Sequence, residues 1–148
     1  MKSDTGGIVH SVQLCPGHRQ AMKVVEETQA LKNVGLQDDR HAQTDSSRQV
    51  LLAEKEVLDA LNLMPGQIKE NITTAGIVLM NISPGSRLKI GNTVLLEITK
   101  ACHPCSRMEE IRPGLLHDLA GRRGMLARVI EGGSIRRGDA IHLVEGVI

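Results

Sequence analysis

At 148 residues, with apolar and charged fractions of 41% and 24%, the chain has the size and mix of one ordinary soluble domain, able to bury a core without disulfides or metal. A formal net charge of +1 leaves no basic excess to neutralise many phosphates, which excludes a general nucleic-acid binder. There is no Phe, Tyr or Trp, so stacking platforms for single-stranded bases are missing and the core must be built from Val, Ile, Leu, Met and Ala.

The first seven residues hold no apolar stretch of the signal-peptide kind, and no apolar run approaches the roughly 20 residues that span a bilayer. Three cysteines (Cys15, Cys102 and Cys105), an odd number, argue against a disulfide framework. The expected setting is therefore the cytoplasm, with no membrane partner.

Gly7 to Leu14 alternates Ile8, Val9, Val12 and Leu14 with polar neighbours and stops at Cys15-Pro16-Gly17, which reads as a strand ending in a turn. Met22 to Glu26 is a second strand. The polar, aperiodic stretch from Ala30 to Ser47 predicts a long surface loop containing Asp38-Asp39-Arg40-His41. A short apolar run, Gln49 to Ala53, precedes a helix over Glu54 to Asn62, where Val57, Leu58 and Leu61 share a face and Met64-Pro65-Gly66 ends it.

The second half holds an internal echo. Leu88 to Leu96 and Ile135 to Leu143 share the pattern apolar-x-x-Gly-Asn/Asp-x-apolar-x-Leu. Gly-Asn and Gly-Asp suit tight turns, so the copies predict two strand-turn-strand corners of one barrel-like sheet, with Asn92 and Asp139 as turn formers. Between them a strand ends near Thr99, and a short helix or turn begins after Pro104. Many short strands with one or two short helices predict a mainly β, single-domain β-barrel over residues 1–148, its core at about 7–145.

The chemistry concentrates at Cys102-His103-Pro104-Cys105, for which three readings stand. A structural zinc module needs four ligands in a tetrahedron, and only Cys15 and a histidine such as His10, His18 or His103 are left to complete the set. A dithiol redox centre fits the spacing, but the segment follows a β-rich run and lacks a flanking aromatic. The third makes one thiolate a soft-metal ligand or sulfur carrier, favoured by Lys100, His103 and Arg107 nearby and by the dipole of a helix starting after Pro104.

The ordered set Gly35-Leu36-Gln37-Asp38-Asp39-Arg40-His41, Arg48-Gln49-Val50, Glu70-Asn71-Ile72-Thr73, Leu88-Lys89-Ile90-Gly91, the Cys102–Cys105 segment, Arg123-Gly124 and Gly132-Gly133-Ser134-Ile135 resembles the MOSC family, named for the C-terminal domain of molybdenum-cofactor sulfurase. The resemblance implies a β-barrel, a molybdopterin-type cofactor, and Cys105 as the molybdenum ligand or persulfide carrier with Cys102 in support. It also implies partners in molybdenum-cofactor or sulfur-transfer chemistry, such as a cysteine desulfurase. Relatives that reduce N-hydroxylated compounds make a small molybdenum-dependent reductase the alternative. Arg40, His41, Arg48, Asn71, Thr73, Arg107 and Arg123 are the cofactor-binding candidates, because a pterin phosphate calls for cationic forks and amide or hydroxyl donors. The chain departs from the family in having Asp38 where Gly is usual before Asp-Arg-His, and in lacking the further N-terminal barrel and C-terminal helices of its reductases.

Overall fold

Alternation of aliphatic and polar residues along short strands drives the sheet to curl on itself, with the aliphatic face inside. The computed structural model describes residues 5–144. The strands are β1 (Gly6–Leu14), β2 (Lys23–Val25), β3 (Glu27–Leu31), β4 (Gly35–Leu36), β5 (Val50–Glu54), β6 (Ile72–Ala75), β7 (Arg87–Ile90), β8 (Val94–Ala101), β9 (Met125–Glu131), β10 (Gly133–Arg136) and β11 (Ala140–Val144). Seven of them close a barrel in the order β1, β11, β7, β8, β9, β5, β6, and β6 returns to β1. All of those pairings are antiparallel except β5 with β6. β2 extends the barrel sheet beyond β1, and β3, β4 and β10 form a separate small sheet.

On β8, Val94, Leu96 and Ile98 point inward and are fully buried, meeting Leu88, Ile90, Val129 and Ile141 from neighbouring strands. Each such side chain contributes about 1.5–3 kcal/mol by leaving water. With no aromatic available, many medium-sized aliphatics fill the barrel, so a truncation such as Leu96→Ala is expected to cost roughly 2–5 kcal/mol.

Three short helices, α1 (Lys55–Ala60), α2 (Met108–Ile111) and α3 (Leu115–Asp118), pack a second apolar cluster against Ala53 of β5. Val57, Leu58, Ile68, Met108, Leu115 and Leu119 compose it. No helix among the described residues is long and apolar enough to cross a membrane.

The mainly β barrel agrees with the sequence reading, and three differences have clear causes. The stretch from Ala30 to Ser47 is not one loop. It contains the end of β3 and all of β4, which pair with each other and, through β3, with β10, partners too distant in sequence to register as local periodicity. The two echoed segments are not equivalent: β7 and β8 form a hairpin within the barrel, whereas β10 belongs to the small sheet and β11 to the barrel. Both turns do place their glycine, Gly91 and Gly138, at positive φ. Helix α3 is the element beyond the one or two expected, a single turn bounded by Gly114 and too short to show a period.

Candidate functional site

Strand β8 leaves the barrel at Ala101, and the next residue is pinned: the Cys102 N–H donates to the Gly124 carbonyl at 2.9 Å. The Cys102 side chain is thereby tucked against Leu51 and Leu126 and is only 4% exposed. Past Pro104 the chain turns outward, Cys105 is exposed, and its carbonyl accepts the Met108 N–H at 2.9 Å. Cys15, the third thiol, is buried. One thiol of the pair is packing and the other is presented.

The expected dipole at Cys105 is not supplied. Helix α2 starts at Met108 and has 4 residues, and a single turn sums few peptide dipoles. Positive charge at Cys105 comes from side chains instead.

Two adjoining cavities flank the segment. The inner one, about 90 Å³, is walled by His41, Arg48, Lys69, Asn71, Arg123, Cys102 and the two leucines, with room for one small oxyanion or a few waters. The outer one, about 360 Å³, shares His41, Arg48, Lys69 and Arg123 and adds Cys105, Arg19, Arg107 and Glu110. Larger and more open depressions lie over Lys23 and Thr28 and over Lys89 and His142, but neither holds a thiol, so size is a poor guide here.

Arg123 is the buried strut between the cavities. Its Nη2 donates to the Ile68 carbonyl at 2.9 Å and its Nη1 to the His103 carbonyl at 3.4 Å, while its buried Nε has no partner. The arginines divide sharply. Arg19, Arg87, Arg112, Arg122, Arg123, Arg128, Arg136 and Arg137 each bind a carboxylate or a backbone carbonyl. The guanidiniums of Arg40, Arg48 and Arg107 have no hydrogen-bond or ion-pair partner among the described residues, and all three lie at this site. Arg48 and Arg107 line the cavities. Arg40 lines neither and stands on the outer rim beside His18, whose imidazole is held below the usual histidine range first by Arg40, then by desolvation, then by Arg107 and Arg19.

The loop bearing Arg40 is fixed from below: the Arg40 N–H donates to the Cys15 carbonyl at 2.9 Å, and the Cys15 N–H donates to Asp39 Oδ1 at 2.7 Å. Asp39 Oδ2 is buried without a hydrogen bond, 3.6 Å from Nδ1 of the half-exposed His41. Asp38, where the family usually has Gly, sits at φ +65°. That is the left-handed region, which Gly occupies freely and Asp tolerates better than most residues, so the departure preserves the loop's path.

Asn71 is 1% exposed and ties strands together: Oδ1 accepts the Leu51 N–H and Nδ2 donates to the Gln13 carbonyl, both at 3.1 Å. Its second amide hydrogen remains for the inner cavity that it lines. Thr73 is a different case. It is fully buried, donates to Glu70 Oε2 at 2.8 Å, accepts from Gln13 Nε2 at 3.1 Å and lines neither cavity, so it belongs to a barrel network rather than to an anion pocket. Burial pushes the carboxyl of Glu70 above the usual range, opposed by hydrogen bonds from Gly66 and Thr73 and by the charge of Arg123.

Cys102, Cys105, His41, Arg48, Asn71, Arg107 and Arg123 thus come together, with Arg40 at the rim and Thr73 apart. Sequence reasoning missed Lys69, which lines both cavities next to Glu70-Asn71, and Arg19, four residues past Cys15. Among the described residues no group of three or more His, Cys, Asp or Glu side chains is placed to hold a metal ion.

The family model for the MOSC domain matches residues 37–142, most of the chain. A protein of Gibberella moniliformis named "Reductase" is 36% identical over 84 residues, covering 54% of this chain but only 15% of that longer protein. Among solved structures, the YuaD protein of Bacillus subtilis superimposes with a TM-score of 0.81 at 17% identity, covering 97% of this chain and 98% of the other. YiiM from Geobacillus stearothermophilus gives 0.73 at 19% identity over 95% of this chain and 75% of the other, and YiiM from Escherichia coli gives 0.70 at 19% over 95% and 71%. At those identities the likeness is one of fold. With a match over most of its length and the barrel to go with it, the chain belongs to the MOSC domain family, associated with molybdenum-cofactor proteins.

Proposed function

We propose that this chain binds a molybdopterin-type cofactor in the two cavities, its phosphate held by Arg48, Lys69 and Arg123 and its metal facing Cys105. The observation that supports this most is the partition of arginines: of the three without a partner among the described residues, Arg48 and Arg107 line the cavity of the single exposed thiol. Guanidiniums left unpaired at a cavity wall suit an oxyanion, which they can hold with paired N–H donors. The donor set fits the group: a soft sulfur for the metal, hard cations and an amide hydrogen for the phosphate. When bound, such a cofactor supplies two-electron and oxygen-atom transfer chemistry.

The chain's own residues have separable tasks in this reading. Arg123 and Asn71 hold the Cys102–Cys105 segment and the inner wall in place through backbone carbonyls and amides. Lys69 and Arg48 set the charge between the cavities, and Arg107 sets it beside the thiol. The same thiol can carry sulfur: the Cys105 thiolate attacks the outer sulfur of a partner's persulfide, a new S–S bond forms on Cys105, and the partner's thiolate leaves. A cysteine desulfurase is the kind of partner that step requires.

Wild type, Cys105→Ser and Cys15→Ser isolated from a molybdenum-replete host test the reading. Molybdenum with pterin, or sulfur released by cyanide, is expected in wild type and Cys15→Ser and lost in Cys105→Ser. Wild-type protein with neither contradicts it. A second reading, a reductase of N-hydroxylated compounds, draws on the fungal relative's name. Cofactor-loaded protein that leaves an amidoxime unchanged with a competent electron donor rules that reading out.

A further inference from the structure

Outside the cavities a second tier of charge remains. Arg19, Arg40 and Arg107 are exposed and come from three separate segments: Arg40 is tied through its N–H to the Cys15 carbonyl, next to the His41 that lines both cavities, and His18 and Arg19 lie on the turn that follows Cys15. Arg19 and Arg107 also border the cavity that holds Cys105. The carboxylates nearby are largely engaged: Glu110 pairs with Arg19 at 3.1 Å, Asp39 accepts the Cys15 N–H, Glu109 accepts the Gly114 and Leu116 N–H groups, and Asp38 lies on the loop of Arg40. Elsewhere on this near-neutral chain several arginines are matched with carboxylates, as in Arg87–Glu97–Arg128 and Arg136–Glu27. Like charges left to face one another around a reactive thiol raise the energy of the free protein, and an anionic surface arriving there relieves it.

We propose that this rim is the docking surface for an acidic segment of a partner protein, one that presents carboxylates beside the sulfur or redox group that must reach Cys105. The inference rests on Cys105 being the working thiol of the function proposed above. Two features favour a carboxylate-bearing protein over a nucleotide. The chain has no Phe, Tyr or Trp on which a base could stack, and the phosphate site proposed above, at Arg48, Lys69 and Arg123, lies further in. Rim arginines standing in solvent match the polar, charge-complementary edge of a transient protein interface.

The test uses ligand-free protein, so it is independent of whether a cofactor binds. A short glutamate-rich peptide with one cysteine, carried as its mixed disulfide with thionitrobenzoate, is compared with its glutamine-rich counterpart. The Cys105 thiolate attacks the peptide sulfur, the peptide–Cys105 disulfide forms, and coloured thionitrobenzoate leaves. Cys105→Ser identifies the reacting thiol, the other two cysteines being buried. Each protein is scored by the ratio of the two rates, which cancels changes in thiol reactivity. The acidic peptide is expected to react roughly tenfold or more faster at low ionic strength. That ratio falls toward unity in Arg19→Gln/Arg40→Gln and in high salt, and stays unchanged in Lys89→Gln, which lies in a different depression. Equal rates for the two peptides, or an acidic preference that survives Arg19→Gln/Arg40→Gln, overturns the proposal. So does loss of that preference with a nucleoside diphosphate but not with inorganic pyrophosphate, which assigns the rim to a nucleotide.

Discussion

Asn71→Ala separates what Asn71 does for the fold from what it offers a ligand. Its side chain satisfies the Leu51 N–H of β5 and the Gln13 carbonyl of β1, both at 3.1 Å in a fully buried setting, while its backbone bonds the same two residues. Truncation leaves one buried donor and one buried acceptor without partners. Each such loss costs about 1–3 kcal/mol, and water entering from the adjacent inner cavity relieves the upper end, so the expected loss is about 2–4 kcal/mol. In urea this lowers the midpoint by roughly 1–2 M at an unchanged slope near ~2 kcal/mol/M. The assay is equilibrium unfolding of ligand-free protein followed by far-ultraviolet circular dichroism. A loss under about 0.5 kcal/mol, the range of ordinary surface substitutions, refutes the strut and returns Asn71 to a ligand-only role.

Asp38→Gly removes the cost of a non-glycine residue at φ +65° and should stabilise by about 0.5–1 kcal/mol, measured as a rise in thermal midpoint; a loss shows that the Asp38 side chain holds the loop. Gly124→Ala places a Cβ 2.1 Å from the Leu52 carbonyl oxygen, so β5 and β9 must part and soluble yield or midpoint should fall sharply; an unchanged midpoint refutes that close packing. Glu70, with its folded pKa raised by burial, binds its proton more tightly folded than unfolded. Stability from this group is therefore complete below the ordinary glutamate pKa and declines as pH climbs toward the raised value. Glu70→Gln should stabilise more at pH ~8 than at pH ~5, and equal effects at both show that Glu70 is not the titrating group.

Much of the barrel was legible in the sequence because its strands alternate locally. β1 and the β7–β8 hairpin announce themselves through alternating aliphatic residues and through Gly-Asn at the turn, and β5 through a short continuous apolar run. The small sheet was not legible, since β3 and β4 are short and β3 pairs with β10, about a hundred residues away. At the site, residue type identified the thiols and most of the arginines, but not their states. Burial distinguishes Cys102 from Cys105, and only the folded chain shows that Arg48 and Arg107 lack partners among the described residues while Arg136 and Arg137 have them. Thr73 reads as a ligand-type residue in sequence, yet its hydroxyl is consumed by Glu70 and Gln13.

The absence of Trp and Tyr gives one measurement unusual power, because the polypeptide itself absorbs very little near the ultraviolet band where pterins and metal thiolates are seen. The absorption spectrum of the protein as isolated from a molybdenum-replete host therefore tests the central claim most directly. Wild type should show bands from bound pterin and metal–sulfur charge transfer, and Cys105→Ser should lose the metal–sulfur bands. A transparent wild-type spectrum, or one that Cys105→Ser leaves intact, contradicts the placement of the cofactor against Cys105.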